Sequence, residues 1–219
     1  MASADCTANS SPSCGAHGSP IVQPPALPLF PLHTVLFPGG PLALRIFEPR
    51  YLDMVRRCLK EERGFGVVTI LQGTEAGAAA RVADIGTRAR LVDFDPLPDG
   101  LLGISCVGEE RFRVLRRWQQ QDGLNLAEVQ SLAAEGACEL PAELAHLADL
   151  LREVLPRLGG AYAHIEAHYA DAGWVANRWA EVLPLQLQDK LALLELTEPL
   201  ARLAQVAAWS ARQPPGAHE

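Results

Sequence analysis

An α+β fold is predicted for this chain: a β-rich half over about 25–132, then a helical half over about 138–212. Three observations predict it. Before residue 132 apolar residues mostly alternate with polar ones or form short unbroken runs, as strands require. After residue 140 they recur at spacings of three and four, the period of one helix face. Strands gathered in one run and helices in another argue against a repeated βαβ architecture. The chain has 219 residues, 48% of them apolar, enough for a real core.

The elements follow in order. Residues 27–51, LPLFPLHTVLFPGGPLALRIFEPRY, hold five prolines and two glycines among apolar residues. Pro28, Pro31, Pro38 and Pro41 each lack a backbone donor and disfavour helix just before them, so the segments between must be extended. TVLF reads as a short strand, PGG as a turn and LALRIF as a second strand. In that strand Leu42, Leu44 and Ile46 face one way, with Ala43, Arg45 and Phe47 opposite. Pro49 suits the first position of a helix. Tyr51, Val55, Cys58 and Leu59 mark its apolar face, and Gly64 is the expected terminator. FGVVTIL is a buried strand, EAGAAARVADIG a loop, TRARLVDF a strand and DPLPDG a turn. LLGISCVG, ERFRVLRRW and LNLAEVQSL complete the strands. In ERFRVLRRW, Phe112, Val114 and Trp118 share one face and Arg111, Arg113 and Arg117 a solvated other.

Pro141 then opens a helix through Leu144, Leu147, Leu151, Val154 and Leu158, which Pro156 and Gly159–Gly160 kink or stop. Asp171 caps a helix carrying Val175, Trp179, Val182 and Leu183, which Pro184 breaks. LQLQDKLALLEL is the next helix, and Pro199 opens the last. The chain divides into a small polar tail at 1–24, a β-rich unit at 25–137, a helical unit at 138–212 and a short tail at 213–219.

Composition narrows the function. The formal net charge is −7, which repels phosphate backbones unless basic residues are locally concentrated. No run of 18 apolar residues occurs, so no membrane span is expected. The start lacks a secretory pattern, and the cytoplasm is the expected location. The cysteines, Cys6, Cys14, Cys58, Cys106 and Cys138, are odd in number, and no pair has zinc-knuckle spacing. Buried free thiols are the ordinary reading.

The decoys are few. In HIEAH, His164 and His168 are four apart, but Ile165 stands where a zinc protease needs glutamate; a solvated helix face is the simpler account. There is no phosphate-binding glycine-lysine loop, and Gly64 and Gly66 precede a strand instead of following one. Lys60 and Lys190 lie in charged or amphipathic helical segments, where an ammonium is normally solvated. Ser105 lacks a nucleophile elbow. Arg45, Glu48 and Arg50 read as a paired strand-to-helix corner, and Arg178 as stacked on or paired near Trp174. No catalytic, cofactor or metal site is predicted.

The stretch LPLFPLHTVLFPGGPLALRIFEPRY resembles the start of the Lon protease N-terminal, or substrate-binding, domain. The resemblance continues in VADIGTRARLV, LPDGLLGISCVGEERFRVL and WVANRWAEVLPLQLQDKLALLELTEPLARL, spanning about 27–208. It implies a PUA-like β-rich pseudo-barrel with a helical extension. It also implies recognition of unfolded or tagged polypeptides and a part in ring assembly. The ATPase and serine–lysine protease domains of Lon lie beyond the matched region, so a stand-alone, non-catalytic member is the expectation. The motif residues Phe30, Pro31, Pro38, Gly39, Glu48, Pro49, Arg50 and Tyr51 read as architectural.

The leading expectation is a module that binds exposed apolar polypeptide segments, alone or as an adaptor to a protease. It would use an apolar groove with a polar rim where the strands meet the helices. Phe37, Phe65, Trp118 and Trp174 are the aromatics nominated to line it, although core packing is their commoner role. Self-association accords with the family's role in ring assembly. The alternative is RNA binding, suggested by the PUA-like fold and by Arg111, Arg113, Arg116 and Arg117. A third class, an unrecognised enzyme, would show itself as a deep polar pocket holding perturbed titrating groups.

Overall fold

The computed structural model describes residues 26–74 and 81–210. Both predicted tails and the first part of the loop predicted before residue 87 lie outside the described residues. Six strands precede four of the five helices. The strands are β1 (Leu27–Leu32), β2 (Pro41–Ile46), β3 (Phe65–Gln72), β4 (Arg81–Pro96), β5 (Leu102–Gln119) and β6 (Asn125–Ser131). Helix α1 (Pro49–Lys60) follows β2, and α2 (Ala145–Leu158), α3 (Ala172–Val182), α4 (Leu187–Glu195) and α5 (Pro199–Ser210) close the chain. The α+β expectation therefore holds.

The sheet order is β2-β5-β4-β3-β1-β6, and β6 pairs back onto β5. Five strands thus close a pseudo-barrel, with β2 left as a flap. The long strand β5 makes this possible by changing partners along its length. Its first part pairs with β2 from Leu102 to Val107, and its second pairs with β6 from Phe112 to Gln119. Among the described strands only β1 and β3 run parallel; α1 lies on the connection between β2 and β3, so the parallel pair needs no tight turn.

Several local expectations are corrected. TVLF is not a strand; LPLFPL is. Within it Pro28 is registered only against β6 and Pro31 only against β3, so each proline sits where one flank of the strand lacks a ladder. RVADIG is strand, the opening of β4, and LLGISCVG joins ERFRVLRRW in the single 18-residue β5. Gly64 does not end α1. The helix stops at Lys60, Glu62 takes the left-handed turn at φ 50°, and Gly64 serves another need. A methyl there would fall 2.2 Å from the Ala89 carbonyl oxygen.

Two main cores result. One lies under α1: Tyr51, Met54, Val55 and Cys58 pack on Phe30, Phe65, Ile46, Ile104 and Cys106. Leu59, expected on that face, is exposed and Met54 takes its place. The other joins the helices to the barrel, uniting Leu147, Leu151, Val175, Trp179 and Leu203 with Val35, Phe37, Ala83 and Ile85. Burial pushes the Cys106 thiol up to about 12 and raises Cys58 as well, so both thiols are inert in the fold.

The seam between barrel and helices is also polar. Arg111, expected on a solvated face, is 4% exposed because the helical half covers that part of β5. Its guanidinium donates to the carbonyls of Leu194 and Leu196, at 2.6 Å each. Arg202 donates to the Leu193 carbonyl at 2.9 Å and also to that of Leu196. Two cations thus satisfy the last carbonyls of α4, where the helix dipole favours them. Glu135 bridges the pair, 2.8 Å from Arg111 Nη2 and 2.5 Å from Arg202 Nη2. Desolvation on burial still lowers the Arg111 pKa, against the pull of Glu135.

Candidate functional site

The sequence PLALRI alternates, and β2 uses both faces. Leu42, Leu44 and Ile46 turn toward the core beneath α1. On the opposite face Ala43 is in register with Ser105 and Asp93, and Arg45 with Gly103 and Asp95. This outer face of β2-β5-β4 is paved with small side chains because the residues that β5 presents there are Gly103, Ser105 and Val107. A depression of about 660 Å³ lies over Ala43, Gly103 and Ser105, walled by Leu97 and Asp99 of the β4–β5 turn. A second, about 580 Å³, begins at Ser105 and runs over Pro41 and Val107 to Ile165, His168 and Trp174. A third, about 460 Å³, shares Gly39, His168 and Trp174 with the second and continues past Asn177 to Ala133–Ala137. Together they form one groove from the hairpin tip to the seam with the helices.

The turn PGG builds the corner of this groove. Gly39 adopts φ +71°, a left-handed conformation that glycine takes without cost. Its N–H donates to the Gly108 carbonyl at 2.7 Å, while Gly108 N–H donates to Gly40 O at 2.9 Å. Helix α3 holds the turn from the other side. Arg178 Nη2 donates to the Pro38 carbonyl at 2.9 Å and to Glu181 Oε1 at 2.7 Å, and its guanidinium lies 5.5 Å from the centre of the Trp174 ring. Tyr162 donates its hydroxyl to Glu181 Oε2 at 3.2 Å. Lys190, expected to be solvated, donates to the Glu181 carbonyl at 2.7 Å. Burial pushes the Glu181 carboxyl up to about 7, opposed by Arg178. Asp171 caps α3 as expected, accepting from Trp174 N at 2.7 Å, and this fixes Trp174 at the groove wall.

A further apolar shoulder lies around the hairpin. Phe47 is 63% exposed and Phe94 52%. Together with Leu59 they border a depression of about 430 Å³ between α1 and the β4–β5 turn, and Phe94 lines the groove as well. Exposed aromatics of this size, clustered, mark interaction surfaces. Neither was nominated from sequence. The signal was present: Phe47 falls on the strand face that carries Arg45, and Phe94 stands between Asp93 and Asp95.

The nominated aromatics separate. Phe37 and Phe65 are 0% exposed and belong to the two cores, so neither can meet a ligand in this fold. Trp118 is half-buried with Arg116 over its ring at 5.4 Å, away from the groove. Trp174 alone of the four lines it. The motif residues sit in the frame. Phe30 stacks on Tyr51 at 4.0 Å, and Pro31 lies opposite Val68 in the sheet. Pro49 opens α1 after Glu48. Arg50 pairs with Glu48 at 2.6 Å and donates to Gly123 O at 3.0 Å. The HIEAH segment is not a helix: a 3-10 turn ends at His164 and Ile165 is extended. His168 and Glu166 stand 3.6 Å apart with both side chains largely exposed, the arrangement of a surface pair. Of the four arginines weighed for phosphate binding, Arg111 is buried in the seam and Arg116 lies 3.8 Å from Glu128.

Residues 26–209 match the family model of the ATP-dependent protease La (LON) substrate-binding domain. The chain belongs to this family. The Lon protease of Anaeromyxobacter dehalogenans (strain 2CP-C) is 27% identical over 209 residues, covering 88% of this chain and 25% of that protein. Cereblon of Gallus gallus is 31% identical over 110 residues, covering 48% of this chain and 24% of that protein. Among solved structures, a Lon N-terminal domain protein from Xanthomonas campestris is 40% identical with a TM-score of 0.70, covering 84% of this chain and 98% of that one. The N-terminal domain of a Mycobacterium avium complex Lon protease is 15% identical with a TM-score of 0.61, a likeness of fold. The chain spans about a quarter of the length of these curated relatives. What it shares with the Lon proteases is their substrate-binding domain, and the PUA-like pseudo-barrel agrees with its structural neighbours. No helix among the described residues is long and apolar enough to cross a membrane.

Proposed function

We propose that this Lon-type domain binds exposed apolar segments of unfolded polypeptides in the groove over β2-β5-β4, without itself performing chemistry. It would act in the cytoplasm as a recognition module or as an adaptor that delivers such segments to a protease. The observation that carries the reading is the groove together with the exposed Phe47 and Phe94 beside it. An open channel with a small-residue floor, one tryptophan wall and an apolar shoulder suits an extended chain better than a compact metabolite. Membership of a substrate-binding family supports a polypeptide as the ligand.

The test is fluorescence anisotropy with dye-labelled peptides cut from unfolded proteins, read at low and high salt beside a short RNA. Saturable peptide binding that survives added salt, and that weakens several-fold in Phe94→Ser, is expected. Binding confined to RNA and lost as salt rises would replace the reading, since phosphate contacts release counterions. Binding of neither ligand would remove it.

A further inference from the structure

The groove is electrostatically lopsided. At the seam end most carboxylates are matched: Glu109 pairs with Arg90 at 2.8 Å, Glu110 with Arg88 at 3.1 Å, and Glu135 with Arg111 and Arg202, while the exposed Glu166 stands 3.6 Å from His168. Asp171 there is occupied by the backbone N–H groups of Cys138 and Trp174. The hairpin end differs. Asp93, Asp95 and Asp99 line it, and among the described residues Arg45 alone pairs with them, through Asp99. Among the described residues Asp93 accepts the N–H of the adjacent Phe94, at 2.9 Å, and is in no ion pair. Two exposed carboxylates, Asp93 and Asp95, therefore face the groove without a paired cation among the described residues, while Trp174 and Ile165 bring apolar surface to its other end, beside Glu166 and His168.

We propose that the groove prefers extended polypeptide segments carrying a lysine or arginine about five residues from an aromatic or large aliphatic residue. The cation would lie between Asp93 and Asp95, and the apolar side chain against Trp174. The spacing comes from β5, which forms the floor. Asp95 is opposite Gly103, and the turn that backs Trp174 is bonded to Gly108. Five residues of strand separate those points, about 17 Å at the strand rise, which an extended ligand covers with about five residues of its own. Charge complementarity of this kind selects partners and orients them more than it adds affinity. This preference rests on the polypeptide-binding reading above.

Four labelled hexapeptides test it by anisotropy at low salt: Lys first and Phe last, Glu in place of the Lys, Gln in that place, and Lys adjacent to Phe. The Lys–Phe peptide is expected to bind about fivefold tighter than the Gln form and more than that over the Glu form, the scale of an exposed charge pair. Moving Lys beside Phe should forfeit the gain. In the double variant Asp93→Asn/Asp95→Asn, with fold checked by circular dichroism, Lys and Gln peptides should bind alike. Saturable binding that ignores the charge or the spacing would overturn this preference and leave the general groove reading standing; binding of no peptide would remove both. A second copy of the chain is the rival occupant. A concentration-dependent dimer that the Asp93→Asn/Asp95→Asn variant dissociates would overturn the proposal in its favour.

Discussion

Glu181 shows how one side chain can tie the frame of the groove to solution pH. Its carboxyl is 9% exposed, clasped by Arg178 and Tyr162, and so close to the PGG turn that a methyl on Gly40 would fall 2.0 Å from Oε1. Burial raises its pKa from 4.5 to about 7. Between those values the folded chain keeps a proton on Glu181 that the unfolded chain releases. The group therefore favours the fold fully below about pH 4.5, and that contribution is lost as pH rises through about 7. Glu181→Gln removes the titration while keeping an oxygen and a donor in place. Measured by urea unfolding, the stability of the parent minus that of the variant should fall by about 2–3 kcal/mol in all from pH 4.5 to pH 7.5. A difference that is flat over this range would mean that Glu181 is ionised throughout as the partner of Arg178.

At the scale of elements, the groove corner depends on the turn 38–40 lying directly on β5. Gly108 permits this approach, since a methyl there would meet the Phe37 carbonyl oxygen at 2.2 Å. Gly108→Ala should cost about 1–3 kcal/mol through overpacking and weaken peptide binding with it. Gly136→Ala, where nothing lies within 4 Å of the added methyl, should leave the urea midpoint unchanged. Equal midpoints for both variants would show that the turn can lift off β5 at little cost. The same elements show what was legible in the sequence. The alternation in PLALRI gave both faces of β2, Asp171 gave the start of α3, and the family motif gave the architecture. The strand in LPLFPL was hidden because a proline's damage depends on whether a neighbour sits on that flank, a property of sheet order and not of the residue. Arg111 was misplaced for a related reason. Its parity opposite Phe112 is plain in ERFRV, but a strand pattern cannot say that a helical layer 83–85 residues further on covers the outer face. The groove itself was anticipated only as a meeting of strands and helices, because Phe94 and Trp174 are brought to one channel by long-range pairing.

For the whole molecule, the two halves distinguished by their periodicities, 25–137 and 138–212, are expected to stand or fall together. They share a core in which Val35, Phe37, Ala83 and Ile85 of the barrel pack among the helix residues. They also share the bridge in which Glu135 joins Arg111 of β5 to Arg202 of α5. Neither half can leave without exposing apolar surface on the other and stranding two buried guanidiniums. Two probes separate the halves in a Trp118→Phe background, which removes the tryptophan of β5. Trp174, Trp179 and Trp209 then report the helical core by fluorescence, and protection of Cys58 and Cys106 from alkylation, followed by peptide mass spectrometry, reports the core under α1. Their urea transitions should coincide, as a single cooperative unit requires. Glu135→Ala removes the shared carboxylate and leaves both arginines buried, which should cost about 3 kcal/mol and shift the two transitions by the same amount. If fluorescence moved while thiol protection did not, the helical half would be unfolding alone. The seam end of the groove could then open independently of the barrel, and peptide capture would be coupled to that local opening.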